Sequence, residues 1–209
     1  MRNDIWPLFS KTIYVTDVIL NQDEESKLNK IYDNIEFNKA RRNLEHNRSC
    51  EISKELQLFH CHPLTFLEEK IMERFHNFSK NIMHYDNNFI ITNSWFTKTH
   101  KGQESMLHTH KNHMYSMVYY WGNEETEDNK IEFKNYNSAT SFNISTKEKN
   151  IYNSDEYGFK VNNGMLIVFP TEVHHMILEN KNNSIRKSMA MNLLPTGIIG
   201  TGDSAVELK

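Results

Sequence analysis

From residue 89 onward no stretch of this chain repeats its apolar residues at helical spacing, and that limits its fold more than any other feature. Short runs rich in β-branched and aromatic residues follow one another instead: Phe89–Lys98, Tyr115–Trp121, Lys130–Lys134, Gly158–Val161, Met165–Phe169, His175–Leu178 and Arg186–Leu194. Asn162-Asn-Gly and Asn180-Lys-Asn-Asn-Ser supply turns between them. The N-terminal part reads differently. Leu8–Val15 suggests a short first strand, and Asn21 is an N-cap followed by acids, which predicts a helix over 22–35. Leu64, Phe66, Leu67, Ile71, Met72, Phe75, Phe78 and Ile82 recur at three- and four-residue steps, so an amphipathic helix is expected over 63–83, packed on something flat. Residues 37–52, with Arg41, Arg42, Glu45 and Arg48, show little periodicity and read as an irregular excursion. Helices first and strands after, without βαβ alternation, give an α+β order that is mainly β, with N-terminal helices laid against a sheet sandwich.

A chain of 209 residues with four prolines fits one domain. The expected division is a strand-and-helix flank over 1–88 and a β core over 89–202, ending in the glycine-rich tail Gly197–Asp203. The net charge of −3 offers no basic field for nucleic acid. No apolar run approaches the roughly 20 residues of a membrane span, and the start lacks the apolar centre of a signal peptide. Cys50 and Cys61 read as reduced thiols. A soluble, cytoplasmic protein is the expectation. Of eleven histidines, His46, His60, His62, His76, His84 and His100 sit in polar or helical surroundings and read as surface residues.

The chemistry concentrates in two segments. In a strand, residues two apart share a face, so His108 and His110 aim at one point, and imidazole is the commonest protein metal ligand. About sixty residues later, Gly164–Pro170 leads through Thr171-Glu-Val to His174 and His175. Adjacent strand residues face opposite ways, so only one of these joins the pair, and His175 is favoured. The competing reading is a set of buried, hydrogen-bonded histidines with no ion. Arg186 shares a strand face with Ser188 and Asn192 among apolar Met189, Met191, Leu193 and Leu194. A buried guanidinium needs an anion, and its planar fork suits a carboxylate, against the plainer alternative of a salt bridge or an outward-facing side chain. Residues 135–158, long and polar, read as a candidate lid, and 37–52 and 123–129 as loops that set specificity.

The order His-x-His, Ser-x-Val-Tyr-Tyr, Gly-x-(apolar)-Phe-Pro, His, Arg-x-Ser, Asn resembles the Fe(II)/2-oxoglutarate-dependent dioxygenases, within them a group found often in phages and marine bacteria. The resemblance covers roughly residues 89–202 and implies a double-stranded β-helix (jelly-roll, cupin-like) core. It further implies iron on His108, His110 and His175, with Arg186 and Ser188 on the distal carboxylate of 2-oxoglutarate and Thr97 lending a polar group. The implied reaction is hydroxylation of a C–H bond in an unidentified small molecule or protein side chain, with release of succinate and CO2, in the host cytoplasm if the chain is phage-encoded. Position 110 departs from the superfamily's usual carboxylate, which leaves Glu104, Glu172 and His113 open as third ligands. The spacing Gly-x5-His-x-His with a later Gly-x5-Pro is also similar to cupins, so a three-histidine dioxygenase without 2-oxoglutarate is the second expectation. A cupin's usual glutamate is missing, Met114 and Tyr115 standing in those places. The third is a non-catalytic β-sandwich module with Tyr115, Tyr119, Tyr120 and Trp121 along a groove.

Overall fold

The computed structural model describes residues 4, 7, 9–40, 48–123, 129–135 and 144–208. Strand β1 (Tyr14–Asp17) leads to helix α1 (Gln22–Asn34), which starts where a capping box forms. The Asn21 side chain accepts from the Glu24 N–H at 3.0 Å and the Glu24 carboxylate accepts from the Asn21 N–H at 2.9 Å. The predicted first strand is therefore shifted to Tyr14–Asp17, and Leu8 lies outside the described residues.

The expected helix over 63–83 is divided. A short helix α2 (Leu58–Cys61) precedes it; within it helix α3 (Thr65–His76) runs first and then widens into a π-helical turn, Asn77–Ile82. Leu64, Leu67, Ile71, Phe75 and Phe78 of the expected stripe are buried and Phe66 and Met72 half-buried, but Ile82, at the end of the π-helical turn, is exposed. Full burial of each such side chain contributes roughly 1.5–3 kcal/mol. Phe75 and Phe78 meet Tyr115 edge-on at 5.8 and 5.3 Å, so the helix is anchored on the sheet by aromatic rings.

The remaining strands are β2 (Phe37–Lys39), β3 (Glu51–Ser53), β4 (Asn88–Thr99), β5 (Tyr115–Tyr120), β6 (Lys130–Lys134), β7 (Glu156–Lys160), β8 (Met165–Pro170), β9 (His174–Ile177), β10 (Arg186–Ile199) and β11 (Val206–Leu208). All pair antiparallel, in one sheet ordered β1-β8-β5-β10-β4-β3-β2 with β11 on β10, and a smaller sheet ordered β7-β6-β9. The large sheet is buried on both faces. Met117, Tyr119, Leu166, Val168, Met189, Met191 and Phe96 pack with the helices. Val118, Tyr120, Ile167, Phe169 and Ala190 point the other way, onto Ile131 and Phe133 of the small sheet. This two-sided burial explains why Tyr115–Trp121 shows no polar alternation. It is a double-stranded β-helix core with helices on the outer face of its large sheet.

One expectation is corrected. Part of the excursion 37–52 is structured: β2 and β3 extend the sheet beyond β4, and Arg48 pairs with Glu179 and, at 3.8 Å, with Glu104. Three-residue strands are too short to show a period. Arg41, Arg42 and Glu45 lie outside the described residues. At the glycine-rich tail β10 runs to Ile199, and residues 206–208 fold back on it as β11. Of the expected lid over 135–158, residues 136–143 lie outside the described residues, as do 124–128 of the loop 123–129; within the lid, 144–153 is exposed and 156–158 belong to β7.

Gly164 closes the turn before β8 at φ +81, where its carbonyl accepts from the Val18 N–H at 2.7 Å and its own N–H donates to Tyr120 at 2.9 Å. A Cβ there would lie 3.0 Å from Ile19 and 3.3 Å from the Val18 carbonyl oxygen. Gly164→Ala is expected to lower stability by about 1–3 kcal/mol through left-handed strain and this crowding. Urea unfolding measures the loss, and an unchanged midpoint refutes it.

Candidate metal centre

The chain between β4 and β5 turns at Gly102 (φ +80) and then runs along β9 without becoming a regular strand. Its backbone is satisfied by residues far along the chain. Ser105 donates to the Ile177 carbonyl, His108 and His175 exchange both N–H···O bonds at 3.0 Å, and His110 donates to Thr171 at 3.0 Å. The expected strand alternation is therefore not what sets the two histidines. An isolated antiparallel bridge places His108 opposite His175, and a separate bond to Thr171 positions His110.

The three rings gather at one point. Centroids are 4.4 Å apart for His108 and His175, and 5.1 Å for each of the other two pairs. One ring nitrogen from each residue lies within 4.8 Å of the other two. Each Nδ1 has its own acceptor: the Met106 carbonyl at 2.7 Å for His108, the Val173 carbonyl at 3.0 Å for His175, and Asn192 Oδ1 at 2.6 Å with Ser116 Oγ at 2.8 Å for His110. A ring whose Nδ1 carries the proton holds its lone pair on Nε2, the form a metal takes up. Burial, followed by the adjacent His108, holds the His175 imidazole well below its usual pKa and so keeps it neutral. His175 packs 4.6 Å from Phe169, whereas His174 belongs to a separate groove with Lys134 and Tyr157.

The three other candidate ligands are not part of this cluster among the described residues. Glu104 pairs with Arg48, Glu172 is exposed and pairs with Lys11 at 3.3 Å, and His113 stands apart with a buried Nδ1 that has no hydrogen-bond partner among the described residues.

A cavity of about 420 Å³ opens beside the rings. Ile52, Leu56, Trp95, Met106, Ile131 and Ile177 form its apolar side; Thr97, Ser105 and Ser188 add hydroxyls; Lys39 and Lys54 also line it, paired with Glu51 and Glu36, and no acid is part of the lining among the described residues. Cross-strand register puts Tyr120, Ser188 and Thr97 in one row on the inner face of β5, β10 and β4. Arg186, two residues along that face, is only 3% exposed. Its Nη2 donates to the Leu178 carbonyl at 2.7 Å, while Nε and Nη1 have no hydrogen-bond partner among the described residues. The Tyr120 hydroxyl is likewise buried without one. No carboxylate pairs with Arg186 among the described residues, and burial lowers its pKa from the usual guanidinium value. The ionisable groups near enough to act on it are Tyr120 and Cys50, whose thiol burial pushes up to about 11. Arg186 is not itself on the cavity wall, although Cys50, Thr97 and Ser188 are.

These features fit a cation with an organic dianion. Three imidazoles offer lone pairs to a divalent ion and leave its two charges uncompensated, while a buried guanidinium keeps unmet donors nearby. Sequence reasoning missed two participants. In sequence, Asn192 reads only as a neighbour on the Arg186 face and Ser116 only as part of a strand motif. Their meeting at His110 depends on the β5–β10 register, for which the sequence has no local signal.

Comparison with known proteins agrees with the geometry. Residues 93–192 match the family model described as "Putative 2OG-Fe(II) oxygenase". None of the curated proteins matches the sequence. Among solved structures, an oxidoreductase of the 2OG-Fe(II) oxygenase family from Burkholderia pseudomallei superposes with TM-score 0.62 at 11% identity, covering 87% of this chain and 85% of its own. A Pseudomonas putida prolyl-4-hydroxylase gives TM-score 0.57 at 15% identity, over 88% and 94% of the two chains. HygX from Streptomyces hygroscopicus, with nickel, 2-oxoglutarate and hygromycin B bound, gives 0.61 at 10% identity, over 89% and 84%.

Proposed function

We propose, from the match of residues 93–192 to the 2OG-Fe(II) oxygenase family model, that His108, His110 and His175 hold the iron and that Arg186, helped by Tyr120, Ser188 and Thr97, receives the distal carboxylate of 2-oxoglutarate. One observation carries this reading: a 3%-exposed guanidinium with two unpartnered nitrogens shares an inner sheet face with residues lining the cavity at the three imidazoles. A cupin-type oxygenase without a dicarboxylate cosubstrate would give that guanidinium no anion. Iron with 2-oxoglutarate and dioxygen supplies oxidation of a substrate C–H bond coupled to loss of succinate and CO2.

The protein contributes position and environment. His108 and His175 are locked by their mutual backbone bridge, and His110 by Asn192 and Ser116. The lining, which carries no acid among the described residues, sets no negative charge against an incoming dianion. Ile52, Leu56, Trp95 and Met106 offer an apolar wall for the carbon skeleton of a small molecule or protein side chain, the substrate to be hydroxylated. Cys50 and Cys61 are both free thiols, which fits action in a reducing cytoplasm. No helix among the described residues is long and apolar enough to cross a membrane.

Anaerobic addition of Fe(II) and then 2-oxoglutarate is expected to produce a weak visible charge-transfer band. Demonstrably bound metal with no band on adding the acid would end this reading.

A further inference from the structure

The three imidazoles are not held alike. His108 and His175 each pass their Nδ1 proton to a main-chain carbonyl two residues earlier, Met106 and Val173. Backbone acceptors so close in sequence come with the local chain path and do not depend on side-chain identity. His110 instead relies on two side chains from different strands. Asn192 and Ser116 are cross-strand partners in the β5–β10 ladder, and both are buried. The Ser116 hydroxyl donates to Asn192 Oδ1 at 2.7 Å, and the same oxygen lies 2.6 Å from His110 Nδ1. With Oδ1 facing the ring, the His110 Nδ1 donates to it and Nε2 keeps its lone pair. A register shift in the β10–β4 ladder begins directly after Asn192, and the Thr92 hydroxyl donates to the Asn192 carbonyl at 3.1 Å, so the residue's backbone is held as well.

The acceptor is uncharged. A carboxylate in this place would put a negative charge one imidazole away from the ion, strengthening the ring as a ligand while cancelling part of the charge that draws a dianion. An amide holds the ring without that cancellation.

Resting on the three-histidine reading above, we propose that Asn192, braced by Ser116, is a positioning residue. It fixes His110 in the tautomer that offers Nε2 to the ion, and its neutrality preserves the site's affinity for a dicarboxylate. The two roles separate on substitution. Asn192→Leu removes the acceptor at similar volume, and Asn192→Asp keeps an acceptor but adds charge.

The full-length protein, stripped of metal, would be titrated anaerobically with Co(II), following its visible ligand-field bands; 2-oxoglutarate would then be titrated into each Co(II)-saturated form. Asn192→Leu should bind Co(II) about 10–100-fold more weakly, with altered bands. Asn192→Asp should match or exceed wild-type Co(II) affinity yet bind 2-oxoglutarate about tenfold more weakly. A role confined to packing would not move the two affinities in opposite directions. The inference is overturned if Asn192→Leu, with an unchanged circular dichroism spectrum, keeps wild-type Co(II) affinity and bands, or if Asn192→Asp leaves 2-oxoglutarate binding unaltered. Should Asn192→Leu not fold, Asn192→Asp still decides, with Ser116→Ala, expected to weaken Co(II) binding severalfold, as the companion. Wild-type protein that binds no Co(II) would overturn the three-histidine reading and this inference with it. Wild-type binding beside indifferent variants overturns this inference alone.

Discussion

Arg186→Met is expected to remove 2-oxoglutarate binding while leaving metal affinity intact and the ligand-free protein no less stable. The two unpartnered guanidinium nitrogens would make charge-assisted bonds to a carboxylate, each worth roughly 1.5–3 kcal/mol. Losing both costs on the order of 3–6 kcal/mol, or about 10²–10⁴-fold in affinity. Stability should respond in the opposite sense. Without its anion the guanidinium is a buried, unpaired charge, and replacing such a group with an apolar chain of similar length is often neutral or stabilising. The loss of its one bond, to the Leu178 carbonyl, offsets this by about 1 kcal/mol. Calorimetric titration of the metal-loaded variant with 2-oxoglutarate, beside thermal unfolding of the metal-free form, reads both effects. Retained 2-oxoglutarate binding would remove Arg186 from the anion site. A large drop in unfolding temperature would make it a structural residue.

That side chain also shows what the sequence can disclose. An arginine at the head of a strand whose following residues are nearly all apolar is legible as a buried charge, because such a strand is covered on both faces and the cost of burial is a local fact. The runs at 115–121 and 165–169 are legible for a related reason: strands covered on both faces must be apolar throughout. The rings of His108 and His110 do come together, but strand alternation is not what brings them there. Residues 105–110 take their hydrogen bonds from Thr171, His175 and Ile177, and nothing within a window around His108 encodes those partners. Asn192 and Ser116 are hidden in the same way, each an ordinary strand residue until the β5–β10 register sets them against each other. Local pattern reports which face a side chain takes. It is silent on which distant strand that face will meet.

His175→Ala tests that long-range convergence most severely, with His174→Ala as its neighbour control. His175 is 3% exposed, packed on Phe169, and joined through its backbone to His108, while its ring closes the ligand cluster. Binding energies of about 10–16 kcal/mol for four-ligand zinc sites amount to roughly 3–4 kcal/mol per ligand, so its loss should weaken divalent-metal binding by about 10²–10³-fold. Alanine also leaves a void beside Phe169 and removes the donor to the Val173 carbonyl, so the metal-free variant should lose about 1–3 kcal/mol of stability. The backbone bridge to His108 needs no side chain and should survive, keeping the variant folded enough to titrate. His174 lies in the groove with Lys134 and Tyr157, and its removal should change metal affinity less than twofold. Equal losses from the two substitutions, or a larger one from His174→Ala, would mean that the histidines meet at no common ion.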